Sequence, residues 1–340
     1  MMKNKILISI LCLSMLAISG NTLKTYAEDL QIQADKQEHN GETGVTSLNG
    51  NVRVKFGNMT LKSPKAKINV DSNHKPIEAE FYPNPSAIKV SPDSQSTIKA
   101  DIIKLSLLEN KIKAEGNTFS TVMKNKKPVV TIQADYQEYD KNESAMTARG
   151  KVNIVYDQIK TTSESAVIYI TDGGELKEVN LIGNAVLIQE KSIIKARKLI
   201  YNPTTNEMVA IGTAYSKSTL DDGSVVQVWS DLQQYLKATN TMMAGGSVRI
   251  AYKDYLATGP KATFLPSKVT NKPNNIIFYG RSKIKETSRT VEADKIEITV
   301  TPKNFLAEGN VKTTFQQVSV DKKSKTSAKK KKTVVNDSDI

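Results

Sequence analysis

Two histidines, one cysteine and a recurring set of aspartates are the residues of this 340-residue chain best able to hold a metal or react. His39 and His74 sit among polar, turn-like neighbours, and neither has a second histidine or a cysteine at metal-ligand spacing. Gly-x-Ser-x-Gly, His-Glu-x-x-His and phosphate-cradling loops are all missing. The aspartates are the stronger signal. Asp35, Asp101, Asp135, Asp231 and Asp294, with Arg197 in the same role, each follow Ala34, Ala100, Ala134, Ser230, Ala293 or Ala196. Fifteen residues after each comes a glycine: Gly50, Gly116, Gly150, Gly246, Gly309 and, for Arg197, Gly212. Calcium would need several oxygens converging on one point. One aspartate per repeat in an apolar strand context, replaced once by arginine, fits a turn or edge hydrogen bond instead. No metal, no cofactor and no enzymatic activity are expected.

A fixed spacing points to stacked units. Slid by one hundred residues, the chain overlays itself: Ile32-Gln33-Ala34-Asp35 falls on Ile132-Gln133-Ala134-Asp135, and Gly50-x-Val52 on Gly150-x-Val152. Three weaker copies lie around Ala66 to Pro83, Ala166 to Gly183 and Ala262 to Gly280, giving roughly nine units at about 33-residue intervals. Within a unit the pattern is β. Ala148, Gly150, Val152, Ile154 and Tyr156 share one parity, and Arg149, Lys151 and Asn153 the other. Asn202-Pro203-Thr204 and Asp172-Gly173-Gly174 read as turns. A glycine recurring inside strands predicts a bend at one common level, which folds a sheet into a trough. The alternative is a closed solenoid whose glycines relieve crowding.

The ends differ from the body. Residues 1–27 read as a secretory signal peptide, with Lys3 and Lys5 before the apolar run Ile6 to Ser19 and small residues up to Ala27. That run is shorter than the about 20 residues of a membrane-spanning helix; left uncleaved, it would anchor the chain in the inner membrane. Cys12 lies inside it, so residues 28–340 carry no thiol. Residues 28–320 read as one continuous stack, with a junction between two sub-blocks conceivable near 220. Residues 321–340 hold seven lysines and read as a disordered basic tail. The net charge of +13 suggests an anionic partner. Export argues against nucleic acid and for an anionic or phosphorylated lipid.

The pattern Ile-x-Ala-Asp followed by a Gly-Asn-Val-type strand resembles the OstA-like family, which includes LptA, LptC and the N-terminal domain of LptD. It is carried by Ile32-Gln33-Ala34-Asp35 with Gly50-Asn51-Val52, Ile132-Gln133-Ala134-Asp135 with Gly150-Lys151-Val152, and Val291-Glu292-Ala293-Asp294 with Gly309-Asn310-Val311. The resemblance implies an all-β, open, twisted β-jellyroll in the periplasm of a Gram-negative-type cell. It implies an apolar groove for the lipid A acyl chains of lipopolysaccharide. It further implies end-to-end β-augmentation with other Lpt-like bridge proteins or a second copy. The chain is about twice the length expected of a stand-alone LptA-like protein, so it reads as a longer bridge segment or an LptC-like half joined to an LptA-like half. Groove-lining candidates from the period-two faces are Val52, Val54, Ile68, Ile132, Val152, Ile154, Ile168, Leu181, Leu187, Ile194, Val248, Ile250, Phe264 and Phe278. Ordinary core packing is the alternative for each. Gly50, Gly150, Gly246 and Gly309 are the fold-line candidates. The rival functions are a closed adhesion solenoid and a lipid-free scaffold joined through strand edges.

Overall fold

In a computed structural model, residues 30–92, 94–156, 158–170, 176–220, 222–267 and 273–316 are described. The expected leader, with Cys12, and the lysine-rich tail lie outside the described residues. The chain crosses the sheet in successive passes. The first is split into β1 (Leu30–Gln33) and β2 (Lys36–Asn40), followed by β3 (Val45–Phe56) and β4 (Met59–Val70). Two further split passes are β5 (Pro76–Tyr82) with β6 (Ser86–Ser91), and β7 (Ser94–Lys99) with β8 (Ile102–Ser106). Long strands follow: β9 (Lys111–Lys124), β10 (Lys127–Asp140), β11 (Ala145–Tyr156), β12 (Ile159–Ile170), β13 (Leu176–Gln189) and β14 (Ser192–Asn202). After them come β15 (Glu207–Thr219), β16 (Val225–Leu236), β17 (Thr241–Tyr252), β18 (Tyr255–Pro266), β19 (Pro273–Lys285) and β20 (Arg289–Thr299). The last pass is β21 (Asn304–Glu308) with β22 (Lys312–Phe315). Each pass pairs antiparallel with the one before and the one after. The all-β expectation is borne out: 22 strands form one jellyroll-like sheet, with no helix among the described residues.

Every pass is interrupted at the same level. In β11 the pairing with β10 and β12 shifts around Gly150 and Lys151. Their φ values are 77° and 48°, two left-handed residues in succession. Such a pair turns the chain sharply, as in a type I′ turn, and here it bends a strand instead of ending it. The same left-handed pairs stand at Gly50–Asn51, Gly246–Ser247 and Gly309–Asn310. Repeated in register, they crease the sheet into two wings. Wing A holds β2, β5, β8, β21 and the matching halves of the long strands. Wing B holds β1, β6, β7, β22 and the other halves.

The crease explains why the sequence spacing is fifteen. From Asp135 the chain runs out along wing A, turns at 141–144 and returns to Gly150. There the Asp135 side chain lies over the glycine: a Cβ at Gly150 would meet Asp135 Cβ and Cγ at 2.8 Å. Glycine is therefore required twice over, by its φ and by the space. In three repeats the next residue completes the cover. Asn51, Asn117 and Asn310 donate from Nδ2 to Oδ2 of Asp35, Asp101 and Asp294 at 2.8, 3.0 and 2.6 Å. The small residue before each aspartate faces the other way, into the fold. Ala134, Ala196 and Ser230 are buried there, with Ala148, Ala166, Ala210 and Ala214 beside them. Small side chains let the wings meet at the crease, and larger ones hold them apart farther out.

The weaker repeats cross the same crease with other chemistry. Glu164 covers Gly183 and receives a 2.6 Å bond from Asn184, and the Pro260 ring covers Gly280. β5 and β6 are joined across it by Pro83-Asn84-Pro85, with the Tyr82–Pro83 peptide cis.

Candidate functional site

Between the wings runs an apolar interior in three clusters: Leu48 to Ala114, Val122 to Ala214 and Val228 to Val300. Each contains a cavity, about 120, 200 and 340 Å³ in chain order. The middle one is walled from wing B by Ile132, Ile154, Thr161 and Leu187, and from wing A by Ile168, Val179, Leu181, Leu199, Tyr201 and Met208. Gln189, Met208 and Tyr235 line both the middle and the last cavity, so the two adjoin. Engineered apolar cavities of about 150 Å³ stay dry and take up apolar guests. These are of that order and lie in a row.

The cavities sit away from the crease, and this divides the sequence-predicted lining. Ile132, Ile154, Ile168, Leu181 and Leu187 line the middle cavity, Ile194 and Phe264 the last, and Val54 and Ile68 the first. Val52, Val152, Val248, Ile250 and Phe278 are buried at or below 1 % exposure, yet line none of these three. They are the packed part of the interior, Val52, Val152 and Val248 lying just beyond the left-handed pairs. Sequence reasoning missed Tyr156, Val179, Tyr201, Met208 and Tyr235. All have inward parity, which is the signal that could have found them.

Polar groups gather at the outer ends of the cavities, with Thr161 in the middle one and Ser216 and Gln233 in the last lying nearer the crease. Tyr235 Oη donates to Asn240 Oδ1 at 2.8 Å, and Gln189, Asn206 and Lys237 stand at the hairpins. Burial pushes the Tyr201 and Tyr235 phenols above their ordinary range, so both stay neutral donors at neutral pH. At the C-terminal end side chains strap the wings together opposite the crease. Lys303 of wing A pairs with Asp254 of wing B, and the Tyr255 and Phe305 rings meet edge-on at 6.1 Å. The hydrogen bond to Lys303 lowers the Asp254 pKa, and the same bond raises that of Lys303. Strand pairing among the described residues stays within each wing, and no ladder closes the trough.

Buried amides repair the backbone at the crease. Gln137 donates to Thr118 Oγ1 at 2.8 Å and to the Ile132 carbonyl at 3.2 Å, while Thr118 donates to the Ala134 carbonyl at 2.7 Å. Gln233 reaches the Ala214 and Val228 carbonyls at 3.3 and 3.2 Å. Both glutamines lie two residues after the crease aspartate, a position held by Gln37 in the first pass. These buried amides are thus spent on the chain itself, and apolar side chains form most of the middle cavity's wall. Among the described residues no cluster of His, Cys, Asp and Glu could hold a metal ion.

Residues 31–130 match the family described as LptA/(LptD N-terminal domain) LPS transport protein. The OstA-like resemblance is borne out on that segment. A solved structure also aligns, that of LptH, the LptA-homologous periplasmic component of the lipopolysaccharide transport device from Pseudomonas aeruginosa. Identity is 16 %, coverage 38 % of this chain and 96 % of that one, and the TM-score 0.34. No curated protein matches the chain.

Proposed function

From the premise that residues 31–130 carry the LptA and LptD N-terminal signature, we propose that this chain is a periplasmic lipopolysaccharide carrier. It shields acyl chains between its wings and passes the lipid along a bridge from inner to outer membrane. The observation that carries the reading is the row of apolar cavities walled by both wings. Each buried methylene contributes about 0.8 kcal/mol, so a few acyl carbons per cavity suffice for retention. In this reading Ile132, Ile154, Ile168, Leu181, Leu187, Ile194 and Phe264 contact lipid, and Tyr201, Tyr235 and Lys237 face the more polar part of the molecule.

The terminal passes support assembly with a further Lpt-like protein or a second copy. Among the described residues, β1 and β2 pair only with β3, and β21 and β22 only with β20. Within the described residues both outer edges therefore present unpaired backbone groups. Along most of the chain, passes bearing a residue that covers the crease, aspartate in five of them, alternate with left-handed glycine passes. The N-terminal edge is of the first kind (Asp35) and the C-terminal edge of the second (Gly309), so the alternation continues across a head-to-tail junction. Among the described residues no strand precedes that of Gln37, and Gln37 is exposed. At such a junction it would meet the neighbour's Val311 carbonyl, as Gln233 meets that of Ala214.

A photo-crosslinking residue at position 201 or 200 tests the trough. Tyr201 faces the middle cavity, and Ile200, next in β14, faces outward. In cells making lipopolysaccharide, position 201 is expected to capture it and position 200 is not. Equal capture from both positions, or capture from 200 alone, removes the trough from the account.

A further inference from the structure

Folding sorts the charges of this chain by wing. The outer face of wing A mixes signs: Lys104 pairs with Glu115 at 3.0 Å, Lys111 with Asp140 at 3.1 Å, and Lys295 with Glu308 at 2.6 Å. The outer face of wing B does not. Following cross-strand partners from Arg53 and Lys55 on β3 to Lys283 and Lys285 on β19, two adjacent outward rows hold cations, polar amides, hydroxyls and apolar residues but no acid. The first carboxylate is Glu292 on β20, paired with Lys283 at 3.3 Å. Glu164 and Asp231 stand at the crease, and Glu190, Asp222, Asp254 and Glu286 at hairpins, all at the margins of these rows; Asp222, Asp254 and Glu286 are paired there with Lys253, Lys303 and Arg289.

Between β13 and β17 the same face gains apolar bulk. Ile188 is 44 % exposed beside Ile193, and the next row runs Lys195, Tyr215, Trp229, Arg249. Trp229 has Tyr215 against it at 5.3 Å and the Arg249 guanidinium 4.3 Å from its ring centroid. Lys160, Lys195 and Lys217 around them are exposed, with no carboxylate among the described residues in ion-pair contact.

We propose that this part of wing B's outer face docks on an anionic lipid-bilayer surface. Cations of one sign on a broad sheet face match a layer of anionic headgroups. Tryptophan and tyrosine favour the level where headgroups meet acyl chains. The flanking lysines can lay their stems along the apolar centre and keep their ammonium groups in the headgroup layer. A single-stranded nucleic acid fits less well. It binds by stacking bases on open aromatic faces, whereas the indole is already engaged by Arg249 and Tyr215. The face is the reverse of the sheet from the trough, so the proposal does not depend on lipid carriage.

Trp229 is the only tryptophan, so its emission reports this face alone. The full-length protein is expected to float with vesicles of phosphatidylcholine containing phosphatidylglycerol, and not with phosphatidylcholine alone. Trp229 emission should shift to the blue and be quenched by brominated acyl chains. Lys195→Glu with Lys217→Glu should weaken binding by about twentyfold or more, given about a fivefold effect per lysine near such a surface. Lys65→Glu with Lys67→Glu, exposed on wing A, should leave binding unchanged. Vesicle binding that survives the wing B reversal, or that leaves Trp229 emission unmoved, overturns the proposal. So does quenching by a single-stranded oligonucleotide without any vesicle response.

Discussion

Gly150→Ala is expected to lower stability by about 2–4 kcal/mol, although it adds one methyl group. Two costs combine. The backbone at Gly150 has φ of 77°, where an L-residue loses about 1–2 kcal/mol. The new Cβ also collides with Asp135, whose Cβ and Cγ would lie 2.8 Å away, and so side chain or strand must shift. The two costs separate in a double-mutant cycle. Asp135→Gly in the Gly150→Ala background, which removes Cβ as well as Cγ, should recover the collision and leave the backbone cost. Denaturant midpoints of the four proteins give the coupling. In a stack where each pass contacts only its neighbours, the loss should also appear as faster amide exchange in β10 to β12 than elsewhere. A Gly150→Ala protein within about 0.5 kcal/mol of the parent, with unchanged exchange, would mean that the crease is not held this way.

The second large effect is on lipid capture. Ile154→Phe with Leu187→Phe places two rings in the middle cavity, which both residues line from wing B. In a tightly packed core such enlargement costs about 1–3 kcal/mol per site. Here the rings have about 200 Å³ to enter, so stability should change by less than about 1 kcal/mol overall. Lipid co-purifying with the protein should fall severalfold, because space and apolar surface are taken by the protein itself. Loss of stability with lipid content unchanged would reassign both residues to ordinary core. Filling is a cleaner test than a buried charge. Ile154 is only 8 % exposed, and a carboxylate there would destabilise the fold whether or not lipid binds.

These variants also show what the sequence could and could not disclose. The alanine, aspartate and glycine of the repeat were legible because each has one job that few residues can do. One keeps the crease thin, one covers the bend, and one adopts the left-handed turn. Glu164 and Pro260 escaped notice because covering a glycine needs bulk at the right place rather than one chemistry. Parity told inside from outside correctly for Val152 and Ile154 alike, but not how far each lies from the crease. That distance separates packed core from cavity wall: Val152 lies beside the crease, and Ile154 is one inward position farther out. The sorting of charge was hidden for a related reason. The chain crosses from wing to wing at every pass, so acids from wing A and lysines from wing B alternate in the sequence and separate only on folding.

The most direct test of the central claim is native mass spectrometry of the protein isolated from the periplasm of a lipopolysaccharide-producing host. The expected result is an added mass matching lipopolysaccharide or lipid A, released by detergent and reduced in the Ile154→Phe, Leu187→Phe protein. Folded protein that is empty in repeated isolations, yet assembles end to end, would contradict it and leave a scaffold joined only through its strand edges.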